Sequence, residues 1–222
     1  MSNLVKTDIS KEDQMRSRII GAAEQVFRTY GFHKTTVADI ASALSMSPAN
    51  IYRFFKSKQA IHEALTAHML AENERELAKV VAGAGSAAER LEAFITRLQA
   101  LTVERYISEQ KVHDMVIAAM ADNWDVIQQH IESVIEMMGS IVADGVASGE
   151  FPPQDITAAT LCAHSAITPF AHPILVAECM PEGPGALEAQ ARLVARFIIT
   201  ALKAGFTPDP ALVKSALGNN AS

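Results

Sequence analysis

Residues 36–58 read TVADIASALSMSPANIYRFFKSK, and the architecture of the chain follows from them. Val37, Ile40, Ala41 and Leu44 fall at i, i+3, i+4 and i+7, the spacing that lines one face of a helix. Ser45-Met46-Ser47 interrupts that face. Pro48 stands where a second helix accepts proline, at a first position whose N–H would have no partner anyway. Ile51, Phe54 and Phe55 rebuild an apolar stripe and leave Asn50, Tyr52, Arg53, Lys56 and Lys58 for the other side. A helix from Ser47 to Phe55 that buries aromatics and shows an amide, a phenol and cations suits the major groove of DNA. The stretch is a helix-turn-helix.

Upstream, Ser10 and Asp13 are spaced to cap a helix that runs to Tyr30, with Ile19, Ala23, Val26, Phe27 and Tyr30 on its apolar side. Gly31 ends it, and residues 1–9 read as a loose tail. Thr36 and Asp39 form the pattern of a capping box for the next helix. Downstream, Ser57 precedes a helix from Lys58 to about Val81, whose inner side carries Ile61, Leu65, Met69 and Leu77. Gly83-Ala84-Gly85 marks a hinge or an ordinary loop.

The rest is helical by period. Ser86 and Glu89 open a helix with Leu91, Phe94, Ile95, Leu98 and Leu101 inward. Helices follow at about 108–121 and 124–147, and Gly149 with Pro152-Pro153 closes the second. Asp155 caps a helix to about Thr168, and Pro169, Pro173, Pro181 and Pro184 break up what comes next. A last long helix spans about Gly185 to Ala204. Residues 206–222 read as a short helical turn and a frayed tail. The fold class is all-α. The expected domains are 10–57 for DNA binding, 58–205 for effector binding and dimerisation, and 206–222 as a C-terminal tail.

The net charge of −6 over 222 residues looks wrong for a DNA partner until it is divided. Residues 1–62 hold nine basic and five acidic side chains, a net +4, and the remainder carries −10. A basic head on an acidic body is the asymmetry expected when one module alone meets phosphate. Apolar residues make up 49% and charged residues 20%, a globular composition. No apolar run is long enough for a membrane span, and the N-terminus lacks the apolar core of a secretory signal. Cys162 and Cys179 are the only cysteines and show no C-x-x-C spacing. Both observations suit the cytoplasm.

One ordered set of residues resembles the tetracycline-repressor (TetR) family of bacterial transcriptional regulators. It comprises Ile19-x-x-Ala22-Ala23-x-x-x-Phe27, Tyr30-Gly31-Phe32, Thr35-Thr36-Val37-x-x-Ile40-Ala41, then Ser47-x-Ala49-x-Ile51-Tyr52-x-x-Phe55 and Lys58. The family pattern usually has glycine where this chain has Ser45. The resemblance implies a three-helix DNA-binding head, a linking fourth helix, and a larger helical domain that binds ligand and dimerises. GEFPPQD at 149–155 looks like a connection common in the family, and the last two long helices would pair with their copies in a homodimer.

On that frame Ser47, Pro48, Ala49 and Asn50 enter the groove, with Asn50 reading a base edge. Tyr52 and Arg53 hold phosphates. Lys58, Thr36 and the backbone of Thr35 add further phosphate contacts. Family analogy places an effector cavity among Phe94, Met115, Met120, Trp124, Met138, His164 and Thr168, although methionines and aromatics at helical spacing are usually core.

No metalloprotease, nucleophile-elbow, Walker or dinucleotide-binding pattern occurs, so the chain is not expected to be an enzyme. No cofactor is expected, and His113, His130, His164 and Cys162 form no spaced metal motif. The expected function is a ligand-responsive homodimeric repressor released from a palindromic operator by a small molecule. The alternative is a sequence-tolerant nucleoid or condensation protein without an effector. An enzyme with a vestigial helix-turn-helix is a third reading, disfavoured by the absent catalytic pattern.

Overall fold

The computed structural model describes residues 10–107, 110–122, 124–179 and 184–217. Every regular element among them is helical: α1 (Lys11–Tyr30), α2 (Val37–Ala43), α3 (Pro48–Tyr52), α4 (Lys58–Val81), α5 (Ala87–Thr102), a π-helical turn (Val103–Ile107), α6 (Gln110–Asp122), α7 (Trp124–Ala147), α8 (Ile156–Ala171), α9 (Pro173–Cys179), α10 (Pro184–Ala204) and α11 (Pro210–Leu217). The expected tail at 1–9, Pro181 and the end at 218–222 lie outside the described residues.

The starts of these helices are written in short polar side chains. Ser10, Thr36, Ser47, Ser86 and Asp155 each accept from the backbone N–H three residues on. Thr36 with Asp39 and Ser86 with Glu89 complete reciprocal capping boxes. Gly31 follows α1 at φ +87° and returns its N–H to the Phe27 carbonyl.

The chain forms two compact units. One contains α1 to α3, α4 as far as Met69, and α6. Its core joins Ile19, Ala23 and Phe27 of α1 to Ile40, Ile51, Phe55, Ile61 and Leu65, and α6 packs on α1. The expected boundary between 57 and 58 therefore falls too early. Ile61 and Leu65 have no exposed surface and complete the core of the head, and α6, expected in the effector domain, joins the same unit.

The other unit contains α4 from Leu70, α5, the π-helical turn, α7 from Ile127, and α8 to α11. Here α5 lies along α10, and α8 packs on both. Leu91, Phe94 and Leu98 of α5 meet Met138 and Ile141 of α7, Ala163 and Ile167 of α8, and Ile198 and Leu202 of α10 in one core. The 149–155 connection is a clamp within this unit. Glu150 accepts from the N–H groups of Ala87 and Ala88 at 2.6 and 3.0 Å, serving the start of α5. Phe151 is fully buried against Gly145, where a Cβ would come within 2.3 Å of its ring. Gln154 donates to the Leu202 carbonyl at 3.0 Å and accepts from the Phe206 N–H at 3.2 Å, tying the end of α10 to the start of α8.

Three local expectations need correction. Pro169 lies inside α8, which continues to Ala171, and the expected break falls at His172, after which Pro173 opens α9. A proline removes one N–H, and a helix near its end absorbs that loss. The π-helical turn was not foreseen. The tail after residue 206 holds an eight-residue helix, α11, whose start is served by the Asp209 carboxylate.

Candidate nucleic-acid interface and effector-domain residues

The turn between α2 and α3 is built on Ser45, the single non-glycine residue with positive φ among the described residues, at +54°. Met46 N–H bonds the Ala41 carbonyl at 2.9 Å and Ser45 N–H bonds the Ser42 carbonyl at 3.0 Å, the paired bonds of a helix end that turns through a left-handed residue. This sharp exit lets α3 begin three residues later. Ser47 caps it, Pro48 occupies its first turn, and Ile51 faces the core with no exposed surface.

The opposite face is open. Ser47, Pro48, Ala49, Asn50, Tyr52 and Arg53 are all exposed, and Tyr52 keeps 51% of its surface. The α3 segment is held in place from below. Arg16 of α1 donates to the Phe54 carbonyl at 2.6 Å, with its guanidinium 4.3 Å from the Phe55 ring centroid. Arg16 is not among the residues expected at this interface. A cation three residues before Ile19, on the buried side of α1, was the available signal.

Three of the nine expected DNA contacts are placed differently. Thr35 is 3% exposed; its hydroxyl donates to the Gly31 carbonyl at 2.8 Å and its N–H to the Phe32 carbonyl. Lys58 donates to the carbonyls of Phe32 and Thr35 at 2.9 and 3.0 Å and sits 4.4 Å from the Phe32 ring centroid. Partial burial lowers its pKa. Thr36 is exposed, but both its N–H and its hydroxyl donate to the Asp39 carboxylate at 2.7 Å. Those bonds hold the Asp39 carboxyl below its ordinary range. Thr35 and Lys58 lock the α1–α2 loop instead of facing outward.

Behind this surface lies His62 of α4, with no exposed surface. Its ring is stacked 4.1 Å from Phe32 and stands edge-on to Phe27 at 6.1 Å. Neither ring nitrogen has a hydrogen-bond partner. Burial pushes its pKa down to about 4, outweighing the Met115 backbone and the Asp122 carboxylate, which favour the cation; Lys58 and His33 add to the lowering.

The seven expected effector residues are divided between the two units. Met115 is buried and Met120 half-buried on α6, in the head unit. Phe94 and Met138 have no exposed surface and belong to the core of the second unit. His164 is half-buried on α8, its pKa lowered by burial, and accepts at its carbonyl from the Thr168 hydroxyl at 3.0 Å. The Trp124 side chain lies outside the described residues. No group of three or more His, Cys, Asp or Glu able to hold a metal occurs among the described residues. No described helix is long and apolar enough to cross a membrane.

The family model described as bacterial regulatory proteins, tetR family, matches residues 19–65, the head just described. That of the tetracyclin repressor-like C-terminal domain matches residues 87–194. The chain belongs to the TetR family of transcriptional regulators. Among TetR-family relatives, the HTH-type transcriptional regulator UidR of Escherichia coli (strain K12) is 28% identical over 154 residues, covering 65% of this chain and 73% of UidR. A TetR/AcrR-family regulator from Thermobifida fusca has the same fold at a TM-score of 0.60 and 23% identity, covering 85% of this chain and 98% of that one. FadR from Bacillus subtilis, solved in complex with stearoyl-CoA, matches at a TM-score of 0.60 and 19% identity, covering 83% and 97%.

Proposed function

We propose that this TetR-family regulator is a cytoplasmic homodimeric repressor that leaves a palindromic operator when a small molecule binds its second unit. The observation that carries the DNA half is the exposed row Ser47, Pro48, Ala49, Asn50, Tyr52 and Arg53 over a buried Ile51. Asn50 is the base reader, with its amide matched to an adenine edge. Small Pro48 and Ala49 let the helix approach closely, and Tyr52 and Arg53 hold phosphates.

Dimerisation is supported by α10. Leu193 and Phe197, four residues apart on one face, are 68% and 74% exposed. Large apolar side chains that stay in water on a regular helix mark a surface that needs a partner. With α8 packed beside it, α10 offers the two-helix face expected of a four-helix dimer interface. The effector acts by preferring one conformer over the other, so its differential affinity, and not its tightness, sets the response. No catalytic step is assigned.

Selection of bound sequences from random DNA tests this reading. A short palindromic consensus is the expected result. Recovery without any consensus favours the sequence-tolerant alternative and overturns the operator reading.

A further inference from the structure

Along α4 the buried positions recur every four residues at Ile61, Leu65, Met69, Asn73 and Leu77, and the fourth is an asparagine with 2% of its surface exposed. Its Nδ2 donates to Oη of Tyr106 at 2.5 Å, and its Oδ1 has no hydrogen-bond partner. An orphaned amide oxygen in an interior is costly, whereas leucine at this position would continue the stripe without that cost. Tyr106, 6% exposed, belongs to the π-helical turn that follows α5. Such turns are rare and occur often at functional sites. Two further buried polar side chains, Gln99 and Thr102, lie on the last turns of α5, and the Thr102 hydroxyl donates to the Ala171 carbonyl of α8 at 3.2 Å.

The chemistry missing from this cluster is specific. As placed, the Asn73 amide donates to Tyr106, so Oδ1 lacks a donor and the phenol hydrogen lacks an acceptor. Exchanging the amide's oxygen and nitrogen lets the phenol donate but leaves the amide hydrogens unmatched. In either orientation the pair keeps unmatched donors or acceptors. Burial pushes the Tyr106 phenol up to about 12, so it stays neutral. The neighbouring Arg105 guanidinium is already 2.9 Å from the Glu72 carboxylate, so an anion would compete for a charge that is matched.

We propose that Asn73 and Tyr106 are the polar anchor of the effector site and take an uncharged molecule through a hydroxyl group. In the orientation that the structure shows, one hydroxyl donates to Asn73 Oδ1 and accepts from the Tyr106 phenol. The inference rests on the ligand-responsive reading above and names the chemistry of that site.

Thermal unfolding of the full chain tests it with p-cresol, 1-hexanol, toluene and 4-methylbenzoate at equal concentration. The two hydroxyl compounds are expected to raise Tm by about 2 °C or more, as a ligand specific to the folded state does. Toluene and 4-methylbenzoate are expected to leave it unchanged. The shift should vanish in Tyr106→Phe, which loses only the phenol oxygen, and in Asn73→Leu/Tyr106→Phe, which removes both polar partners together. No shift with either hydroxyl compound, an equal shift with toluene, or a shift retained in Tyr106→Phe overturns the proposal. Operator binding is measured on the same preparations. Wild-type protein that fails to bind DNA sinks the regulator reading; intact DNA binding without a hydroxyl-dependent shift sinks this inference alone.

Discussion

Lys58 Nζ lies 4.4 Å from the centroid of the Phe32 ring while donating to the Phe32 carbonyl at 2.9 Å. The cation at the start of α4 thus closes the loop at the end of α1. Lys58→Met leaves the carbonyls of Phe32 and Thr35 without their donor and should destabilise the head by about 1–3 kcal/mol in urea unfolding. The dependence of operator affinity on salt should keep its slope. A slope reduced by about one would return Lys58 to phosphate.

Ser45 holds φ +54° where a glycine would be unstrained. Ser45→Gly should stabilise the head by about 1 kcal/mol, the left-handed strain exceeding the added freedom of the unfolded chain. Equilibrium unfolding measures it, and a loss of stability would show that the serine makes a compensating contact.

His62 gives the head a pH dependence of definite sign. The folded state binds its proton with a pKa of about 4 and the unfolded chain with about 6.5. Stability is therefore complete above pH 6.5 and is lost as pH falls through 4, by up to about 3 kcal/mol. His62→Phe should remove this part of the acid sensitivity. An identical fall in both proteins would assign it to other groups.

Asn50→Ala should relax base preference as well as weaken binding, whereas Arg53→Ala should weaken binding to all sequences alike. Affinity across a randomised operator library separates the two. Unchanged preference in Asn50→Ala would remove Asn50 from base reading.

Leu193→Asp/Phe197→Asp places two charges on the exposed apolar row of α10. Sedimentation should show a dimer converted to a monomer with helicity retained. A dimer of unchanged affinity would move the interface elsewhere.

The head was legible because its signals are local. Capping residues and the Pro48 start act within one turn, and the structure returned them residue for residue. By contrast Tyr30, expected inward, is 62% exposed, and α3 ends at Tyr52, short of the expected Phe55. What escaped depends on partners far apart in sequence. Arg16 finds Phe54 across 38 residues, and Lys58 reaches back 26 residues to Phe32. Asn73 falls between the expected inward positions Met69 and Leu77, and its partner Tyr106 sits on a π-helical turn, which breaks the period that would have aligned it. The expected effector set meets a related ambiguity. Periodicity marks which face of a helix is inward, and for Phe94 and Met138 inward means packed core.

The Gln154 side chain carries a mechanical consequence. Its amide nitrogen donates to the Leu202 carbonyl near the end of α10 and its amide oxygen accepts from the Phe206 N–H, while its backbone leads directly into α8. The two helices are thereby pinned at a common end, like the legs of a pair of dividers with a tightened joint. One side chain in the connection bridges them at that end, so Gln154→Ala should loosen the pair there while leaving each helix intact.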